Sequence, residues 1–144
     1  MPAKNWSCFH SGPWKDIYKH EVPHPLLGKV RGKVFLKEPL ALTGMEVSFG
    51  ALPPGAAVPF LHAHRQNEEL YIFVKGRGEM LVDGETVAVS EGSAVRVAPA
   101  GARSWRNTGT EDLVYLVVQA RAGTMANGTI EDGVEVKGTP AWKG

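Results

Sequence analysis

Cysteine is almost missing from this chain. Cys8 is the only one in 144 residues, so no internal disulfide can form. Long apolar runs are missing too, and nothing approaches the roughly 20 residues that a membrane-spanning helix needs. The opening MPAKNWSCFH carries no apolar core of signal-peptide length, so a reducing cytoplasm is the expected address. An excess of charge is also absent. Sixteen basic and fifteen acidic side chains leave a formal net charge of +1, with no long run of either sign. A general binder of nucleic acid or of a membrane surface works through a strong long-range field, and neither partner is expected here. There is no repeat, no low-complexity tract, no helix-turn-helix region and no serine–histidine–acid arrangement that would argue for a nucleophile elbow. Cys8 has no visible activator and is expected to be inert.

What the chain does have is punctuation. Seventeen glycines and ten prolines separate short apolar runs, in a composition of 43% hydrophobic and 22% charged residues typical of a folded globular domain. Residues 1–29 are the least regular part. Gly12-Pro13 and Val22-Pro23-His24-Pro25 forbid a long helix there, although a short helical turn fits residues 14–19. This segment is expected to be an arm that packs on the rest of the protein or on a second subunit. Residues 30–144 then form one domain. Strands are expected over 30–36, 43–52, 69–75, 79–82, 85–89, 93–98, 103–108 and 112–120, with a further edge strand over 133–136. Asp83-Gly84, between two of them, is the strongest hairpin signal, because a two-residue turn needs positive φ at both positions. Many short strands without a long helix predict an all-β sandwich or a barrel-like jelly roll.

Side-chain alternation orients these strands. In residues 69–74, Glu69, Tyr71 and Phe73 share one face, and Leu70, Ile72 and Val74 share the other. Apart from the glutamate both faces are apolar, and residues 113–118 behave the same way. A strand with one solvated face shows polar residues there, so a second layer must cover these strands. A homodimer is the expectation drawn from this.

His62 and His64 are two residues apart, which on an extended chain puts both imidazoles on one face with backbones roughly 6–7 Å apart. Glu69 opens the following strand and can bring a carboxylate to the same point. Two neutral imidazoles and a carboxylate suit Fe(II), Mn(II), Ni(II) or Zn(II), with positions left for water or substrate. The same histidines could instead satisfy backbone carbonyls in a loop. Glu68 reads as a solvated neighbour, and Gln66 and Asn67 as turn formers. Tyr71 lies near the mouth and needs a partner for its hydroxyl. Arg103 and Arg106 flank Trp105, and an arginine aimed inward would clamp a carboxylate or phosphate. Gln119 interrupts an apolar run and could present its amide to a cavity.

Taken together these residues resemble the cupin family. Its first motif is a glycine, a short spacer, His-x-His, three or four residues, glutamate, six residues and glycine. This chain has Gly55, His62-Ala63-His64, Glu69 and Gly76, with one extra residue after Gly55. The second motif is a glycine, a spacer, Pro-x-Gly, two residues, histidine, three residues and asparagine. Here Gly92 and Pro99-Ala100-Gly101 are followed by Ala102-Arg103 and then Ser104 in the histidine's place, with Asn107 one residue early. The resemblance covers about residues 43 to 120. It implies a double-stranded β-helix, a pocket for a small molecule and a divalent metal held by three histidines and one glutamate. Only His62, His64 and Glu69 carry over, since serine is a poor ligand for such an ion. The implied site either works with three ligands or stays metal-free. His10, His20, His24 or Cys8 from the arm could fill the gap. Three function classes follow: a metal-dependent enzyme of dioxygenase, isomerase or decarboxylase type on a small oxygen-bearing substrate, a binding module for a sugar, carboxylate or small signal, or a dimeric scaffold with a vestigial site. The HAHR run also resembles the sugar-phosphate isomerase cupins. Tyr71, Arg103, Ser104 and Gln119 are the candidate ligand contacts.

Overall fold

A computed structural model describes residues 4–144. A 3-10 helix, Trp14–Lys19, is followed by β1 (Glu21–His24), β2 (Gly28–Arg31), β3 (Lys33–Phe35) and a single helical turn α1 (Lys37–Leu40). The strands β4 (Glu46–Leu52), β5 (Asn67–Lys75), β6 (Arg77–Val82), β7 (Glu85–Ser90), β8 (Ala94–Val97), β9 (Arg103–Asn107) and β10 (Leu113–Arg121) complete the fold. They form a five-stranded sheet in the order β3-β4-β10-β5-β8, a three-stranded sheet in the order β7-β6-β9, and the two-stranded β1-β2 ribbon. All pairings are antiparallel. The expected all-β jelly roll is what the chain adopts.

Alternation builds the core. Tyr71 and Phe73 from β5, Met80 from β6, Trp105 from β9 and Leu113, Tyr115 and Val117 from β10 all point between the two larger sheets. The opposite face of the five-stranded sheet is covered in part by the N-terminal segment. Ile17, from the 3-10 helix, packs with Ala51 and Val114, and Trp14, Tyr18, Phe49 and Val74 close around them. Tyr18 Oη anchors this layer by donating to Asp112 Oδ1 at 2.9 Å. That accounts for the apolar outward positions Val74 of β5 and Val114 of β10.

The Asp83-Gly84 turn joins β6 and β7, with φ of 50° and 82° at its two residues. Two expected strands differ from the structure. The run over 30–36 breaks at Gly32, whose φ of 75° redirects the chain: β2 pairs with β1, while β3 pairs with β4. Residues 133–136 form no strand and are exposed.

Candidate functional site

The site lies where the segment 57–64 crosses the end of the three-stranded sheet. That segment is extended and held to β9 by backbone bonds. Val58 N donates to the Trp105 carbonyl at 2.9 Å, and His62 and Arg103 exchange both backbone bonds, at 3.2 and 3.0 Å. His64 N donates to the Pro99 carbonyl at 2.8 Å. The two imidazoles are therefore placed by main-chain anchors on either side of the Gly101 turn.

They converge on Glu69. His62 Nε2 lies 3.5 Å and His64 Nε2 3.2 Å from the same carboxylate oxygen, Oε1. The three donor atoms all lie within 4.8 Å of one another, and among the described residues this is the one such cluster of histidine, cysteine or acidic groups. Tyr71 Oη donates to Glu69 Oε1 at 2.6 Å, and Arg103 Nη1 donates to it at 2.6 Å. Burial by itself would raise the Glu69 carboxyl, but the contacts from His62 and Tyr71 and the charges of His64 and His62 outweigh it and hold the group down at about 2. The Arg103 guanidinium acts in the same direction. Burial, and then the neighbouring carboxylate, push the Tyr71 phenol well above its ordinary value, so it stays a donor.

Arg103 is the residue whose role spacing alone misassigned. Ser104, expected in the place of a third imidazole, sits on the other face of β9 and donates its hydroxyl to the Val58 carbonyl at 2.7 Å. The inward positions of β9 are Arg103, Trp105 and Asn107. Asn107 is the buried asparagine of the second motif: its Nδ2 donates to the carbonyls of Leu52 and Glu111, both at 2.8 Å, and its Oδ1 accepts from Gly109 N at 2.8 Å. Counting back over three residues from Asn107 reaches Arg103, so the loop after Gly101 is one residue shorter than the family pattern. Arg103 is fully buried and fully engaged, donating also to the carbonyls of Gly101 at 2.9 Å and Ala98 at 2.7 Å. The clamp weighed for an inward arginine is thus closed on the protein's own Glu69. Alternation through Trp105 and Asn107 was the signal that could have found this.

A cavity of about 540 Å³ opens beside the cluster. His62, His64, Glu69, Tyr71 and Gln119 line it, whereas Arg103 lies beneath Glu69 and Ser104 lies outside. The amide of Gln119 accepts from Asn67 Nδ2 at 2.7 Å. Most of the remaining wall is apolar, from Val22, Phe35, Val58, Phe60, Trp105 and Val117 among others. Of His10, His20, His24 and Cys8, only His24 reaches this cavity, its ring 5.0 Å from that of Phe60 while its Nδ1 accepts from the backbone of Leu26 and Leu27. His20 Nε2 donates to the Ser11 carbonyl, and His10 sits beside Cys8 at an exposed position. None of the four supplies a further donor to the cluster. Glu68 pairs with Arg96 at the surface, and Arg106 with Glu79.

Sequence reasoning did not single out Lys33. It lines the cavity from β3, and burial pulls its amine down to about 8, against smaller opposing effects of Glu69 and Glu46. Its position opposite Gly50 allows this. Gly50 has no side chain, the Tyr115 ring occupies the space, and Lys33 Nζ lies 5.5 Å from that ring's centroid.

The donor set fits a divalent transition ion. Bonds of about 2.1 Å to nitrogen and oxygen leave neighbouring donors about 3 Å apart, close to the 3.2 and 3.5 Å found here. His64 Nε2 is buried, faces a carboxylate and has no hydrogen-bond partner among the described residues, as a metal-ligating nitrogen would. The fit is to three protein donors, since a guanidinium holds the place of the fourth.

Comparison with known proteins agrees with this architecture. The family model described as "Cupin domain" matches residues 48–119. A cupin protein from Bacteroides fragilis is similar over 94% of this chain and all of its own, at 33% identity and a TM-score of 0.78. A predicted oxalate decarboxylase from Thermotoga maritima is 26% identical, with 76% of this chain and 96% of that one covered and a TM-score of 0.61. The glucose-6-phosphate isomerase of Pyrococcus horikoshii is 33% identical, with 57% of this chain and 52% of that protein covered. This chain spans about half the length of the curated relatives it matches. Among the described residues, no helix is long and apolar enough to cross a membrane.

Proposed function

Because the chain belongs to the cupin family, we propose that it is a divalent-metal-dependent enzyme acting on a small oxygen-bearing organic molecule, with His62, His64 and Glu69 as the metal ligands. The observation that carries this reading is the convergence of two imidazole nitrogens on one buried carboxylate oxygen at the wall of a substrate-sized cavity. A divalent ion held there supplies Lewis-acid polarisation of a ligand oxygen, in dioxygenase- or isomerase-like chemistry. The likeness to proteins described as sugar phosphate isomerases and as an oxalate decarboxylase supports the substrate class. The chain's own residues do the rest. Arg103 and Tyr71 hold the carboxylate in one orientation, and the apolar walls exclude water around a bound substrate.

Metal analysis of protein purified without a histidine tag tests the reading. The expected result is about one ion per chain, lost in both His62→Ala and Glu69→Gln. Substoichiometric metal that these substitutions leave unchanged overturns it.

One observation favours a second reading, a non-catalytic module that binds a sugar or carboxylate. The guanidinium of Arg103 already balances the charge of Glu69, so the cluster is electrically satisfied without an ion. A metal-free protein that retains an organic ligand through purification would select it. We also propose that two copies associate through the outer face of the five-stranded sheet, where Leu70, Ile72, Leu116 and Val118 are only partly covered. A stable monomer at micromolar concentration by light scattering counts against that.

A further inference from the structure

The cavity has a second polar pole, around the Tyr115 ring. Lys33 and Trp105 approach the Tyr115 ring, Nζ at 5.5 Å from its centroid and the indole at 5.5 Å between centroids. Lys33 forms no ion pair among the described residues. Of the two carboxylates that act on it, Glu69 accepts from Tyr71 and Arg103 at Oε1, and Glu46 spends its Oε1 on the backbone N–H groups of Leu36, Lys37 and Val47. Trp105 is 7% exposed, and its Nε1 has no hydrogen-bond partner among the described residues. A buried indole N–H without a partner costs about 1–3 kcal/mol, and an ammonium in an apolar wall costs more unless an anion meets it. Lys33 Nζ has the Phe35 and Tyr115 rings beside it, at 5.4 and 5.5 Å, and the Trp105 indole acts on Tyr115 without completing a hydrogen bond to it. Two donors on one ring with no full acceptor therefore mark a place for one that the chain itself does not supply.

We propose that Lys33 and Trp105 form a carboxylate-binding subsite, and that the natural ligand is a small carboxylic acid with an apolar body. The ammonium carries the charge of the pair, and the indole N–H directs one carboxylate oxygen. The body of the ligand fills the apolar volume lined by Phe35, Val58 and Val117. The inference names the substrate class for the cavity read above as enzymatic. It rests on that reading only in sharing the cavity, because neither donor is one of the three proposed metal ligands. Sugar phosphates fit this pole less well, since their hydroxyls would face apolar walls.

Calorimetric titration of chelator-treated, metal-free protein with benzoate and with its neutral counterpart benzamide tests this. Benzoate should bind saturably and at least about 10-fold more tightly than benzamide, a difference near 1.4 kcal/mol. Lys33→Met should erase that preference while leaving benzamide affinity in place. Trp105→Phe should reduce benzoate affinity several-fold. Lys33→Met should also melt no lower than the parent protein, which shows that the loss is not one of folding. No saturable benzoate binding up to about 10 mM, or a preference that survives Lys33→Met, overturns the subsite. So does a preference that disappears in His62→Ala but not in Lys33→Met. Because every arm is metal-free, these outcomes leave the metal analysis to stand or fall separately.

Discussion

Arg103 and Glu69 form a buried ion pair, with Nη1 2.6 Å from Oε1 and the guanidinium completely shielded from solvent. Three of its bonds are directed, one to the carboxylate and two to the carbonyls that shape the Gly101 turn. Removing one member of such a pair leaves the other uncompensated. Arg103→Met is expected to destabilise the fold by about 3–5 kcal/mol. Arg103→Lys should recover little of that, because a point ammonium cannot reproduce the fork. Urea unfolding of the two variants checks both statements.

Acid should act through the same carboxylate. Glu69 is held from 4.5 down to about 2 in the folded protein. A depressed folded value means that the unfolded chain binds the proton more readily. The stabilisation is therefore fully present above pH 4.5 and is lost as pH falls through about 2. Its full size is about 3 kcal/mol, from 1.36 kcal/mol for each unit. Chemical unfolding followed from pH about 5 to about 2 should show that slope in the parent protein and a flatter one in Glu69→Gln.

Metal binding should register as stability. An ion that binds only the folded chain adds about 2.7 kcal/mol at a free concentration of 100 times its Kd. Zinc or manganese is expected to raise the melting temperature of the parent and to leave that of His64→Ala unchanged. Differential scanning fluorimetry across a metal titration reads this directly.

Gly50 is a position where space decides. A Cβ there would sit 2.6 Å from the Tyr115 ring, whose own movement is blocked by Trp105 and Phe73. Gly50→Ala is expected to cost about 1–3 kcal/mol and to weaken ligand binding in the cavity by displacing Tyr115. Calorimetric titration alongside thermal melting separates the two effects.

The fold was legible wherever local chemistry determines geometry. Asp83-Gly84 reads as a hairpin because few other pairs accept positive φ twice, and His62, His64 and Glu69 read as one cluster because strand alternation carries all three to one side. Ser104 shows where spacing misleads. A single residue removed from the loop after Gly101 inverts which side chains of β9 face inward, and only the buried Asn107 reveals the change. Lys33 was hidden for a different reason. A lysine on a short strand reads as solvated, and its inward reach depends on a glycine on the neighbouring strand and a tyrosine beyond it. The tail over 133–136 has the alternation of a strand but pairs with none, a matter of tertiary placement that local pattern does not contain.

One residue of β9, Arg103, grips the carboxylate through its guanidinium, anchors His62 through its backbone, and bonds the carbonyls of the turn from Ala98 to Gly101 whose Pro99 carbonyl anchors His64. The cluster consequently has a single mechanical reference. Its bonds tie the histidine segment, the turn and the carboxylate of the opposite sheet to one side chain, so loosening that side chain loosens every spacing in the cluster together.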